Sequence, residues 1–170
     1  FLGFAIKIPM VPFHIWLPEA HVEAPTAGSI ILAALLLKFG TFGFYRILIL
    51  LFPYATNYFT RFVICLSLIA ILYASVINFI QIDLKKIIAY SSVSHMGYVT
   101  LGLILDNPEA LVGSLYMMLT HGFISGALFY IVGILYERYG TRNVFFYGGL
   151  KNIMPLYTIF FFFLTLSNMN

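Results

Sequence analysis

Lys38, His95 and His121 stand near the middle of three separate apolar runs, "LAALLLKFGTFGF", "YSSVSHMGYV" and "LTHGFISGAL". A lysine at the centre of a membrane helix costs about 2.5–3.5 kcal/mol on insertion scales, and its head reaches water least easily from there. Ionisable residues on three helices at one depth imply a hydrated polar layer across the membrane. Lysine and histidine placed in such a layer can both exchange protons near neutral pH. The chemistry these residues could do is therefore proton transfer.

Their neighbours suit that chemistry. Ser91, Ser94, His95 and Tyr98 recur at helical spacings of three and four and share one face, as do Ser114, His121 and Ser125. Ser67, Ser75 and Asn78 add hydroxyl and amide groups, more loosely aligned. Hydroxyls of this kind can hold water between titratable groups. They have a plainer use too. A single intramembrane histidine can simply bond a carbonyl of the next helix, and serines beside Gly122 and Gly126 can be a close-packing seam. Lys38 is the residue hardest to reduce to packing.

"KIPMVPFHIWLPEAHVEAPT" poses a different question. Pro9 and Pro12 must stop any helix that reaches Lys7. A broken helix leaves backbone groups unpaired, and at membrane depth that is tolerated only beside protein or a water-filled cavity. Transporters build ion sites at such breaks. Lys7, just before Pro9, is placed to use the loosened backbone. Glu19 and Glu23, four apart, share a face if 13–24 is helical, and either pair with a cation or stay interfacial.

These residues must be carried by membrane helices. The chain has 170 residues, of which 62% are hydrophobic and 9% charged, against about 25% charged in soluble proteins. Mean hydropathy is +0.99. The apolar runs are continuous rather than alternating, which predicts an all-α polytopic membrane protein and not a barrel. The whole of 1–170 reads as a single membrane domain. Residues 1–24 form a broken helix and the stretch that follows it. Spans are expected at 27–52, 60–81, 87–105 and 110–136, and 156–170 begins a further span, which the family resemblance described below makes the start of a further broken helix. The first of these runs would be about 39 Å long, enough to cross with some tilt. Lys85, Lys86, Arg138, Arg142 and Lys151 fall on one side, which is the matrix or cytoplasmic side by the positive-inside tendency. Glu19, His21 and Glu23 fall on that side as well, and Lys85 and Lys86 read as span-end anchors.

Several functions are excluded. Cys65 is the only cysteine, so the chain cannot supply the thiolates of an iron–sulfur cluster or close an internal disulfide. Cys65 itself reads as a small buried packing residue. There is no Gly-rich nucleotide loop and no zinc spacing. The net charge of +3 is scattered over span ends and single sites, which is not a nucleic-acid footprint. Because the sequence opens in apolar residues and closes in "FFFFLTLSNMN", other chains or segments are expected to complete it.

The stretches "KIPMVPFHIWLPEAHVEAPTAGSIILAALLLKFGTFGFYRI", "DLKKIIAYSSVSHMGYV", "THGFISGALFYIVGILYERYGTR" and "YGGL" resemble the antiporter-like, proton-translocating membrane subunits of respiratory complex I, the NADH:ubiquinone oxidoreductase. The resemblance covers nearly the whole chain. It implies a fourteen-helix antiporter-like fold built of inverted repeats, with two proline-broken transmembrane helices. By it, Lys7 matches the broken-helix lysine, Lys38 the central lysine, and His95 and His121 the connecting histidines of a proton relay. Ser91, Ser94, Ser125, Glu19 and Glu23 would support them, although Glu19 stands where an aspartate is more usual. The glutamates that complete the family's channels belong to helices outside these residues. The resemblance further implies that NADH, flavin (FMN), iron–sulfur clusters and ubiquinone are bound by other subunits. Partners would be neighbouring membrane subunits and lipids, with no nucleic acid, and the location the mitochondrial inner membrane. A subunit of a multisubunit sodium/proton antiporter, a plastid or bacterial NAD(P)H dehydrogenase subunit, and a non-conducting structural subunit are the alternatives.

Overall fold

The computed structural model describes residues 1–169. Its helices follow from local chemistry at their ends. A short helix, Leu2–Lys7, stops before Pro9, and the chain stays non-helical until Trp16, with a cis Val11–Pro12 peptide on the way. The break is not left unpaired. Met10 donates its amide to Ala5 O at 2.9 Å, and the Trp16 indole donates to Ile6 O at 2.9 Å. A second short helix, Trp16–Glu23, follows and ends at Ala24.

The four spans run Thr26–Ile49, Pro53–Asn78, Leu84–Ile104 and Pro108–Tyr139. Three of them begin or end away from the hydropathy boundaries, for identifiable reasons. The second span starts at Pro53, next to the end of the first, because a proline is suited to the first helical position. Phe52 alone makes the turn, and the Thr56 hydroxyl donates to its carbonyl at 2.8 Å. The third starts at Leu84, where Asp83 accepts the Lys85 amide at 2.9 Å. Lys85 and Lys86 therefore lie inside the helix. The fourth is capped at Asn107, which accepts the Glu109 amide at 3.0 Å. It closes at Gly140 with φ of 69°, a left-handed end that glycine adopts without a Cβ clash. A last helix, Pro155–Met169, lies on the fourth span, with Tyr157 Oη donating to Ile131 O at 3.2 Å. Among the described residues no strand forms. An isolated bridge joins Asp83 and Asn143.

Apolar residues face both ways, as a membrane allows. Phe39, Leu72, Tyr116 and Phe123 point outward while Leu37, Val93, Met96 and Phe129 are buried between helices. Cys65, expected to be buried, is exposed on the second span. Lipid and protein are alike to a thiol, so its apolar run did not determine which face it takes.

Glycines set the closest helix contacts. A Cβ on Gly97 would lie 2.8 Å from Ile71 Cγ1 and 3.2 Å from Ser67 O, so the second and third spans touch there. Beside it, Ser67 and Thr100 hydroxyls bond at 2.9 Å. Gly97→Val should separate these spans and cost about 1–3 kcal/mol through overpacking. The check is the temperature at which the assembled membrane complex loses this chain, and an unchanged temperature would refute the contact.

Candidate functional site

Lys38 is brought to its partners by the first span. A π-helical turn at Leu32–Leu36 comes just before it, and turns of this kind loosen the helical hydrogen-bond ladder. The Lys38 ammonium donates to Ala33 O at 2.5 Å and meets His121 Nδ1 of the fourth span at 2.7 Å. It can come so near because residue 122 is a glycine. A Cβ there would stand 3.3 Å from Ala34 O and 3.5 Å from Lys38 Cε.

His121 is 4% exposed. With an ammonium as donor, its Nδ1 accepts and its ring proton sits on Nε2. Nε2 has no protein partner among the described residues. His121 borders a small void of about 10 Å³ that is also lined by His95, Thr120, Ile124, Ser167 and Asn168. That is roughly the space of one water. The His95 ring lies 5.4 Å from that of His121 between centroids and is tilted by 56°. Ser125 donates to His121 O at 2.6 Å and fixes the helix backbone at that turn.

The other sequence candidates divide. Ser91 donates to Ile88 O at 2.8 Å and accepts from Asn168 Nδ2 at 3.3 Å, so it borders the histidine layer. Ser94 reaches Ile71 O at 3.5 Å, a contact to the second span. Lys7 is exposed on the side chain, while its backbone lies 3.2 Å from where a Gly40 Cβ would be. The break thus seats against the first span within two residues of Lys38. Glu19 and Glu23 are exposed on the short helix. The only ion pair among the described residues joins Arg142 and Asp83, at 3.8 Å.

Several polar residues were not singled out by the sequence. Asn168, Ser167 and Thr120 border the void. His14 is buried edge-on to Tyr73, with ring centroids 5.1 Å apart. His21 is buried and stacks on Phe129 at 4.2 Å. Lys85 is not an interfacial anchor. It is 2% exposed and donates to Ala24 O at 2.8 Å. Arg142 donates to Val22 O at 2.5 Å from the loop beyond the fourth span. Both cations therefore meet the carbonyl end of helix Trp16–Glu23, the end where positive charge is favoured. The signal that could have found them is the charge pair "LKK" and "TRN" on the same side as the segment after the break.

Residues 1–170 match the family described as "NADH:quinone oxidoreductase/Mrp antiporter, TM". The chain is 59% identical over 170 residues to NADH-ubiquinone oxidoreductase chain 4 of Arabidopsis thaliana, covering all of this chain and 34% of that one. It superposes on respiratory complex I from Thermus thermophilus with a TM-score of 0.93 at 36% identity, over 98% of this chain and 36% of the other. It also superposes on the Mrp complex of a Dietzia species with a TM-score of 0.92 at 28% identity, over 98% of this chain and 31% of the other. The chain spans about a third of the length of the curated relatives it matches.

Lys85→Met, which keeps the length and loses the donor, should free the end of helix Trp16–Glu23. Amide hydrogen exchange over 16–24 in the assembled complex should speed up by about tenfold, the worth of one hydrogen bond. Exchange at the parental rate would refute the cap.

Proposed function

Because the chain belongs to the NADH:quinone oxidoreductase/Mrp antiporter transmembrane family, we propose that it is part of a proton-translocating membrane subunit of NADH:ubiquinone oxidoreductase. The observation that carries this reading is the Lys38–His121 contact at 2.7 Å, with the His95 ring 5.4 Å from that of His121. A protonated Lys38 gives its proton to His121 Nδ1. The proton on Nε2 then leaves toward the polar void, where one water can carry it to His95. The imidazole gains a proton on Nδ1 and loses one from Nε2, so it ends neutral as the Nδ1–H tautomer and must return to the Nε2–H tautomer before the next transfer. Lys7, beside Gly40 at the break, supplies a proton to the Lys38 side. Ser125 holds the His121 turn in place, and Ser91 and Ser94 line the third span beside His95. Glu19 and Glu23 act at the interface.

NADH, FMN, iron–sulfur clusters and ubiquinone are handled by other subunits in this reading. The donor set here does not fit a cluster, with a single cysteine and, among the described residues, no group of three or more candidate metal ligands. The partners are neighbouring antiporter-like membrane subunits, the segments that complete the fold, and lipid. The relatives from plants and algae favour the mitochondrial inner membrane. The whole of 1–170 acts as one membrane domain. A scaffold role is disfavoured because a non-conducting subunit gains nothing from a lysine placed at mid-membrane.

Lys38→Ala and His121→Ala should slow proton transfer through this subunit by roughly a hundredfold, the low end of what a positioned acid–base group contributes. The readout is protons pumped per electron in sealed vesicles, set against the amount of complex assembled. Unchanged pumping at normal assembly would support the scaffold. Mass spectrometry of the intact assembly separates the remaining alternative. Flavin and iron–sulfur subunits travelling with the chain support the oxidoreductase, and membrane subunits alone support a sodium/proton antiporter.

A further inference from the structure

The π-helical turn before Lys38 leaves one backbone acceptor over. In an α-helix the Leu37 amide would bond Ala33 O, one helical turn back. Here it points to Leu32 O and Leu35 O instead. A residue has a single amide proton, so Leu37 passes Ala33 O by. The α-helix resumes at Leu37 and runs to Gly43. Ala33 is 0% exposed, and a buried carbonyl without a donor is costly in a membrane. The Lys38 ammonium fills the gap, 2.5 Å from Ala33 O. The wide turn creates the acceptor and the charge occupies it.

The spare acceptor and the wide turn can only move together. If the Leu37 amide takes Ala33 O, Leu32 O is released, and the wide turn has shifted toward Thr26. Ile31, on that side, is exposed and has room to turn. A shift the other way would twist Leu37–Gly43, which is seated on the first half of the broken helix. A Cβ on Gly40 would lie 3.0 Å from Ile8 Cγ1 and 3.2 Å from the Lys7 carbonyl carbon.

Charge holds the turn where it is. An ammonium bonds a carbonyl about twice as strongly as a neutral donor does. The titratable groups that face it are His121 of the fourth span, at 2.7 Å, and the His95 ring of the third, 5.4 Å from that of His121. From the broken helix Lys7 brings its backbone to Gly40 and keeps its side chain exposed. Once Lys38 has given a proton to His121 Nδ1, it holds Ala33 O as a neutral amine, and the Leu37 amide can displace it.

We infer that the wide turn at Leu32–Leu36 is a switch read by the charge on Lys38. The ammonium holds the turn in place, and loss of the charge lets it shift toward Thr26. With Ala33 O taken by the backbone, a proton coming back from His121 finds the ammonium site short of an acceptor, so the switch opposes back-transfer. The holding follows from the hydrogen bonds of the span. Its use in each transfer rests on the relay reading above.

The test is electron cryomicroscopy of the assembled complex carrying the full chain, with substitutions at Lys38. Lys38→Met removes both donor and charge. It should bring the Leu37 nitrogen to about 2.9–3.0 Å from Ala33 O and move the wide turn toward Thr26. Lys38→Gln, polar but uncharged, should do the same, and it decides the matter if Lys38→Met does not assemble. Lys38→Arg keeps the charge and should leave the turn at Leu32–Leu36. A turn unmoved in the uncharged variants would overturn the proposal, and a turn moved in Lys38→Arg as well would overturn the part given to charge. A moved turn together with full pumping in Lys38→Ala would uphold the switch and overturn the relay that is to use it.

Discussion

The structure depends on one contact, the Lys38 ammonium held between Ala33 O and His121 Nδ1. A cation at that depth is tolerable only with acceptors already in place. The first span provides one from its own widened turn. The fourth provides the other, and it approaches closely enough because Gly122 and Gly126 carry no side chain there. A Cβ on Gly126 would already lie 3.6 Å from Ala34 Cβ. Packing of the first span against the fourth and solvation of the lysine are therefore one problem with one solution.

The same economy holds around the histidines. His121 uses Nδ1 for the lysine, leaves Nε2 buried without a protein partner among the described residues, and lines the small polar void. The hydroxyls near it have given their protons to carbonyls on their own helices. Such bonds within a helix cost little and leave lone pairs directed at the shared space. A layer built in this way has its donors and acceptors already sorted.

Much of this could be read from the sequence, and what could not has physical causes. Lys38, His95 and His121 stood out because charge and apolar surroundings conflict, and their depth could be counted along the runs. The break at Pro9 was legible because proline has no amide to donate. Cys65 was misread because hydropathy separates apolar from polar, and in a membrane both the lipid face and the protein face are apolar. Lys85 was misread for the opposite reason. A lysine at a span end is expected at the interface unless a carbonyl awaits it, and Ala24 O comes from a segment 61 residues away. Asn168 lay in "LTLSNMN", which reads only as the polar close of an apolar run. Its meaning depends on Ser91, 77 residues distant. Span ends shifted for local reasons: Pro53, Asp83 and Asn107 start helices where hydropathy alone sees loop.

The interrupted helix also divides the molecule mechanically. Its first half, Leu2–Lys7, packs on Leu37–Gly43 of the first span, with Phe4 against Gly43. Its second half packs on the third span, and its end is gripped by Lys85 and Arg142. The two halves are joined by the turn around Pro9 and by the Trp16–Ile6 bond. Prolines that look like a defect in a membrane helix thus let one segment seat its two halves against different spans.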